Sequence, residues 1–184
     1  CGVVRRTVEV LAVGPEHHAL LLDLWASARA ELGLPNDGGQ RAAFDRLHGA
    51  LERPDVRGWI ALVDAQPAGF VVTSQNPFGL SQGTELAIEQ LHVVPPARRT
   101  GVARAMLAQV LAYAERTGCE VIVSNVPATS KDANRFFARL GFGSVLVRRV
   151  VTASVLRRRL DPEVTGSRLE VIRRRRTLRA RAGV

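Results

Sequence analysis

The run Arg98-Arg99-Thr100-Gly101-Val102-Ala103-Arg104 concentrates the residues best suited to chemistry. Three arginines crowd one short stretch around a central glycine. An apolar stretch, 84–94, precedes it and is stopped by Pro95-Pro96. Beyond Gly101 the apolar residues Val102, Met106, Leu107, Val110, Leu111 and Ala114 recur at helical spacing, and Gly118 sits where a C-terminal cap belongs. A strand therefore feeds a short loop that runs straight into a helix. The first amides of a helix have no intrahelical acceptor, and the helix dipole adds partial positive charge there. Gly101 lets the backbone come close to a ligand, and the small Ala103 leaves the first turn uncrowded. Arg98, Arg99 and Arg104 surround the mouth with cationic donors. Such a junction suits a pyrophosphate. It has neither the Gly-Lys-Ser/Thr of a P-loop nor the Gly-x-Gly-x-x-Gly of a dinucleotide site.

Other reactive residue types are sparse. His17, His18 and His48 have no Cys or His at ligand spacing, so no metal site is expected. Cys1 and Cys119 cannot build a disulfide framework, which makes a reducing, cytoplasmic setting the default expectation. No signal peptide is read at the head of the chain, and its first residue, not Met, suggests a processing boundary. No window approaches the roughly 18 apolar residues of a membrane span, so no membrane partner is expected.

These residues must be held by a scaffold, and the composition supports one. With 184 residues, 46% apolar and 23% charged, the chain reads as a globular domain rather than a disordered or fibrous one. Residues 3–13 alternate as a strand. Leu20, Leu21, Leu24, Trp25, Ala28 and Leu32 mark a helix over 16–32, and a second helix is expected over 40–52. Residues 57–64 and 69–74 read as a hairpin around Ala65-Gln66-Pro67-Ala68. After 84–94 and the helix from Gly101 come a short apolar strand over 120–126 and a helix opened by capping-box spacing at Thr129 and Asp132. Residues 144–156 read as one long or two short strands. The order predicts a mixed α/β sheet domain.

Taken together, several motifs resemble the GNAT N-acetyltransferase superfamily. Arg98-x-x-Gly101-x-Ala103 is similar to its (Gln/Arg)-x-x-Gly-x-(Gly/Ala) loop. Leu91-x-Val93-x-Pro95 resembles its strand ending. Ala133-x-x-Phe136-Phe137-Ala138-Arg139-Leu140-Gly141-Phe142 resembles its Ala-x-x-Phe-Tyr-x-Lys-x-Gly-Phe segment. The resemblance covers residues 84–142, about a third of the chain. It implies the GNAT fold: a mixed, mostly antiparallel central sheet flanked by helices, here over 1–160, with an Arg-rich tail over 161–184.

The resemblance also implies acetyl-coenzyme A as cosubstrate and no metal. The strand over 84–94 would splay from its neighbour, and the backbone of Leu91, His92 and Val93 would line the pantetheine arm. Arg98, Arg99, Thr100, Gly101, Val102, Ala103 and Arg104 would hold the pyrophosphate. Ser130, Asn134 and Phe137 would stand near the cofactor on the following helix. An amine would attack the thioester, with Glu89 as first candidate for the base and Glu85 as second. By strand alternation Glu89 shares a face with Leu91 and Val93, and His92 points the other way. Glu89 reads equally as a base or as a sheet carboxylate paired with an arginine. The family's usual proton donor is a Tyr where this chain has Phe137, which also reads as a core aromatic. Ser130 stands where an Asn is frequent, with Asn134 one turn later as its substitute. Trp25, Asn36–Gln40 and Asn76–Ser81 would line the acceptor pocket.

The charge is concentrated at one end. Residues 157–184 carry ten Arg against three acids, +7 of the chain's net +9. The tail reads as a solvated extension or as an arm for a polyanion, though no aromatic is interleaved to stack bases. It also holds Leu169, Ile172 and Leu178, which allow packing on the domain or on a second subunit in a homodimer. Three functions follow: an N-acetyltransferase for a small amine, one for a protein or aminoacyl-tRNA docked by the tail, and a non-catalytic acyl-CoA- or nucleic-acid-binding module.

Overall fold

A computed structural model describes residues 7–33, 39–79, 82–146 and 149–160. The chain divides into two units, 1–142 and 143–184, and the first carries the sheet. Its elements are β1 (Val8–Ala12), α1 (His18–Glu31), α2 (Gly39–Leu51), β2 (Val56–Val63), β3 (Gln66–Asn76), β4 (Glu85–Val93), α3 (Val102–Thr117), β5 (Val121–Ser124) and α4 (Lys131–Arg139). The strands lie in the order β1-β2-β3-β4-β5, antiparallel except for the parallel β4–β5 pair.

The sheet buries both faces. On one, α3 lays Val102, Met106, Val110 and Tyr113 against Trp59, Ala61, Val71, Leu86 and Ile88. On the other, Leu21 and Leu24 of α1 pack on Ile60 and Phe70, with Leu47 and Leu51 of α2 beside them. A strand buried on both sides reads as a near-continuous apolar run, as in Trp59-Ile60-Ala61-Leu62-Val63. The α3 helix is bounded by two glycines in left-handed backbone, Gly101 (φ 94°) and Gly118 (φ 71°), a conformation that other residues adopt only at some strain.

Three local expectations are corrected. The β2–β3 reversal is the tight pair Asp64-Ala65, both at positive φ, and not 65–68. That geometry matches the twist of the strands it joins, and β3 therefore starts at Gln66, earlier than expected. The α4 N-cap is Ser130 rather than Thr129, and no side chain bonds the helix start. Residues 144–156 form no strand among the described residues. Val145, Leu146 and Val150 are exposed in irregular backbone, and α5 (Ala153–Leu160) follows. β-branched composition makes a strand only where a neighbour offers a ladder. The tail, 161–184, lies outside the described residues.

Candidate active site

β4 changes character along its length. From Glu85 to Ile88 it is paired on both sides, to Asn76–Thr73 of β3 and to Val121–Ser124 of β5. The β5 ladder stops at Ile88↔Ser124. On the other side the register jumps, because Thr73 faces Ile88 and Val72 faces Gln90. Glu89 is thus the extra residue of a β-bulge, located where the parallel ladder ends. Bulges bend a strand and re-aim the side chain they carry.

Beyond the bulge the backbone of β4 faces two ways. Val94 N–H donates to Ala68 O (2.9 Å). In an antiparallel ladder the bonded residues alternate, so His92 also pairs inward with its partner Phe70. The N–H and C=O of Leu91 and Val93 therefore point away from β3. They face a side on which no described strand pairs with this stretch. Past the end of β5 this leaves an opening walled on one side by a strand edge without a described partner strand, where Val93 O accepts from Arg98 Nε–H (3.0 Å).

At the far end of that edge, a turn at Pro95–Ala97 leads to the loop. Arg99 (φ 64°) and Gly101 (φ 94°) both adopt left-handed backbone. Alternating handedness of this kind turns successive N–H groups to one side and forms an anion-binding concavity. The first intrahelical bond of α3 runs from Ala105 N–H to Gly101 O (3.0 Å). No side chain caps the helix start. The amides of Val102, Ala103 and Arg104 precede that first bond and are left for another acceptor. A Cβ added at Gly101 would meet no protein atom within 4 Å, so the space in front of it is open. Thr100 Oγ–H is turned back onto Ala97 O (2.6 Å) and braces the loop. These amides and that open space could hold a diphosphate, with Arg99 and Arg104 adjoining in sequence.

Arg98 is engaged elsewhere. Its guanidinium donates to both oxygens of Glu31 on α1 (2.6 Å each) and its Nε–H to Val93 O (3.0 Å). That hydrogen bond, first of all, holds the Glu31 carboxyl below its usual range. Both partners are half-exposed, and such pairs contribute about 0–1 kcal/mol. Glu31 lies 67 residues from Arg98 and carries no local signal in the sequence. His92 packs its ring on Phe70 and sits 4.0 Å from Glu31. Burial pushes its imidazole below the ordinary value; Glu31 opposes the shift and Arg98 adds to it. Among the described residues, its Nε2 is a buried side-chain polar atom without a hydrogen-bond partner.

The two carboxylates occupy different surroundings. Glu85 is buried at the start of β4, where its carboxylate fills the space that a side chain at Gly79 would need. Glu89 is exposed, and its two oxygens are held from two sides. Ser74 Oγ–H donates to Oε1 (2.6 Å), and Asn125 Nδ2–H donates to Oε2 (3.0 Å). Ser74 continues the β3 row of Phe70 and Val72, which pack on the α1 side, whereas Leu91 and Val93 pack on the α3 side. The expectation that Glu89 shares a face with Leu91 and Val93 and opposes His92 is therefore corrected. It assumed unbroken alternation, and the bulge breaks it.

On α4, Ser130 stands at the N-cap, and Asn134 donates its amide to Pro127 O (3.1 Å) and Ser130 O (2.8 Å), closing the β5–α4 turn. Phe137 is buried with its ring edge-on to Phe136 and Phe142. Trp25 lies half-buried on α1 under the Arg29 guanidinium (5.1 Å). Of the other residues expected near an acceptor, 36–38 and 80–81 lie outside the described residues. One contact had no sequence signal. His18 of α1 and His48 of α2 meet Nδ1 to Nδ1 at 2.8 Å, and His48 Nε2 is 3.1 Å from Glu52. No group of three or more metal-ligating side chains occurs among the described residues. No helix among them is long and apolar enough to cross a membrane.

The sheet opens beside an uncapped helix start, and similarity to known proteins gives the family. The sequence model of the acetyltransferase (GNAT) family matches residues 19–142. The chain belongs to that family. A curated relative, an uncharacterized N-acetyltransferase of Methanocaldococcus jannaschii, is 28% identical over 93 residues. The match takes in 50% of this chain but 41% of that relative's length. Among solved structures, the aminoglycoside N-acetyltransferase AAC(6')-Iy in complex with CoA superposes with a TM-score of 0.68 at 19% identity, over 83% of this chain and 97% of that one. A ribosomal-protein-alanine N-acetyltransferase from Brucella melitensis gives 0.65 at 17%, over 79% and 99%. A predicted acetyltransferase with acetyl-CoA from Clostridium acetobutylicum gives 0.67 at 15%, over 79% and 96%. At these identities the likeness is one of fold.

Proposed function

We propose that the protein transfers an acetyl group from acetyl-coenzyme A to a primary amine by direct attack within a ternary complex. The acceptor in this reading is a small molecule. The observation that carries it is the pairing of the open β4 edge at Leu91 and Val93 with the uncapped amides of α3. An extended pantetheine arm suits the first as an added strand, and its diphosphate suits the second. The relatives solved with CoA or acetyl-CoA support the cosubstrate.

In this reading the neutral amine nitrogen attacks the thioester carbonyl carbon. The C–N bond forms, the C–S bond breaks, and coenzyme A leaves as thiolate. The amine proton passes to the Glu89 carboxylate, directly or through one water. Phe137 has no proton to give, so solvent protonates the thiolate.

Calorimetry with acetyl-coenzyme A tests the loop, and thiol release over a panel of primary amines tests the reaction. The panel holds an aminoglycoside, a polyamine and a peptide with an N-terminal Ala. We expect Gly101→Val to weaken cofactor binding about tenfold or more, because a branched side chain fills the space in front of the amides and resists φ 94°. Equal affinity in both proteins would sink the loop assignment. No thiol release with any amine, from a protein that binds the cofactor, would sink the reaction.

A further inference from the structure

The Glu89 carboxylate is held by groups from two other strand segments, and that arrangement has its own consequence. Ser74 reaches it from β3, and Asn125 reaches it from the residue that follows β5. Asn125 is itself anchored, because its backbone N–H donates to Ile88 O (3.2 Å). That bond continues the parallel β4–β5 pairing one step past Ile88↔Ser124. The side-chain bond to Glu89 therefore spans the apex of the opening, where the two strands part.

We infer that Ser74 and Asn125 are positioning residues that fix the Glu89 carboxylate at the apex of the β4–β5 opening. The inference rests on the proposal that Glu89 takes the amine proton. A bulged, exposed glutamate has three rotatable side-chain bonds and no neighbouring wall to restrain them. Left alone it would sample several rotamers, and only some would meet an amine beside the thioester. One donor on each oxygen selects a single orientation. Both donors are neutral, and each oxygen keeps lone-pair capacity for an incoming N–H. The two donors come from strands on opposite sides of β4, so the carboxylate cannot rotate away without losing a bond on one side. A reacting group misplaced by about 1 Å forfeits on the order of a hundredfold in rate, which is the scale at stake.

The test combines structure with kinetics on the full chain. Crystal structures of the wild type and of the Ser74→Ala/Asn125→Ala variant are expected to show one Glu89 orientation in the first and several, or a different one, in the second. An unmoved carboxylate in the variant overturns the inference. For kinetics, acetyl-coenzyme A and the best amine of the panel are the probes. Ser74→Ala and Asn125→Ala should each lower kcat about tenfold, while the dissociation constant for acetyl-coenzyme A stays within twofold. Ser74→Thr, which keeps the hydroxyl, should restore the rate. In a Glu89→Gln background neither alanine change should lower the rate further; additive losses mean that the two residues act elsewhere, and overturn the inference. Full activity in Glu89→Gln removes the base and this inference with it. Failure of the wild type to bind acetyl-coenzyme A refutes the proposed function instead, and the crystal structures still report whether the two donors hold Glu89.

Discussion

The two halves of β4 share a backbone and a neighbour in β3, yet they do opposite things. Residues Glu85–Ile88 are buried without exception and laddered on both sides. Residues Glu89–Val93 are exposed or half-buried and laddered on one side. The first half contributes core: Leu86 and Ile88 are among the largest fully buried side chains. The second contributes an edge without a described partner strand, a bulged carboxylate and the approach to the loop over Arg98–Arg104. An open edge in the first half would be a hazard for aggregation, whereas in the second it is available for a ligand that pairs as a strand does. Under the proposed function, stability and function are thus separated along nine residues, with the bulge as the dividing mark.

Proline placement should break this contrast most severely. His92→Pro removes an inward ladder bond and is expected to destabilise the fold strongly in urea denaturation. Leu91→Pro removes an N–H that faces away from β3. It should remain folded by circular dichroism but lose affinity for acetyl-coenzyme A beyond the loss in Leu91→Ala. Equal unfolding by the two prolines would show that the edge at Leu91 is not free. Side-chain truncation gives the next largest effect. Leu86→Ala should lower stability by about 2–5 kcal/mol in urea denaturation, and the half-buried Leu91→Ala by clearly less. Glu89→Gln should leave stability within about 0.5 kcal/mol while thiol release falls by orders of magnitude. A large loss of stability there would make the carboxylate structural.

The gentlest perturbation is pH, and it should spare the contrast. Burial first, then the charge of His48, hold the His18 imidazole below its ordinary value of 6.5, with Glu16 and Glu52 opposing and His17 adding slightly. The unfolded chain therefore takes up a proton at higher pH than the folded one. The stability tied to this ring is complete above about 6.5 and is lost as pH falls through the lower folded-state value. Melting scans from pH 7.5 down to pH 5 should show that decline, and His18→Gln should flatten it. A profile unchanged by the substitution would mean that the ring titrates alike in both states.

What was legible in the sequence follows the range of the interactions. The α3 helix was readable because its stripe and both bounding glycines are local. The bulge was not readable. It is a jump in the β3–β4 register, from Thr73↔Ile88 to Val72↔Gln90, set by pairing between segments and not by local composition. Alternation then placed Glu89 on the wrong face. The Arg98–Glu31 pair and the His18–His48 contact were hidden for the same reason. The segment 144–156 failed in the opposite way: a strand-like composition was visible, but its partner strand is missing among the described residues.

Arg99 holds a left-handed backbone without the relief that glycine would give, at a strain of roughly 1–2 kcal/mol. Arg99→Gly would release that strain in the folded state, but it would also give the loop more shapes to choose from. A stiff, preset seat surrenders less entropy when its ligand arrives. Under the proposed function, tension at one residue thus becomes readiness at the loop.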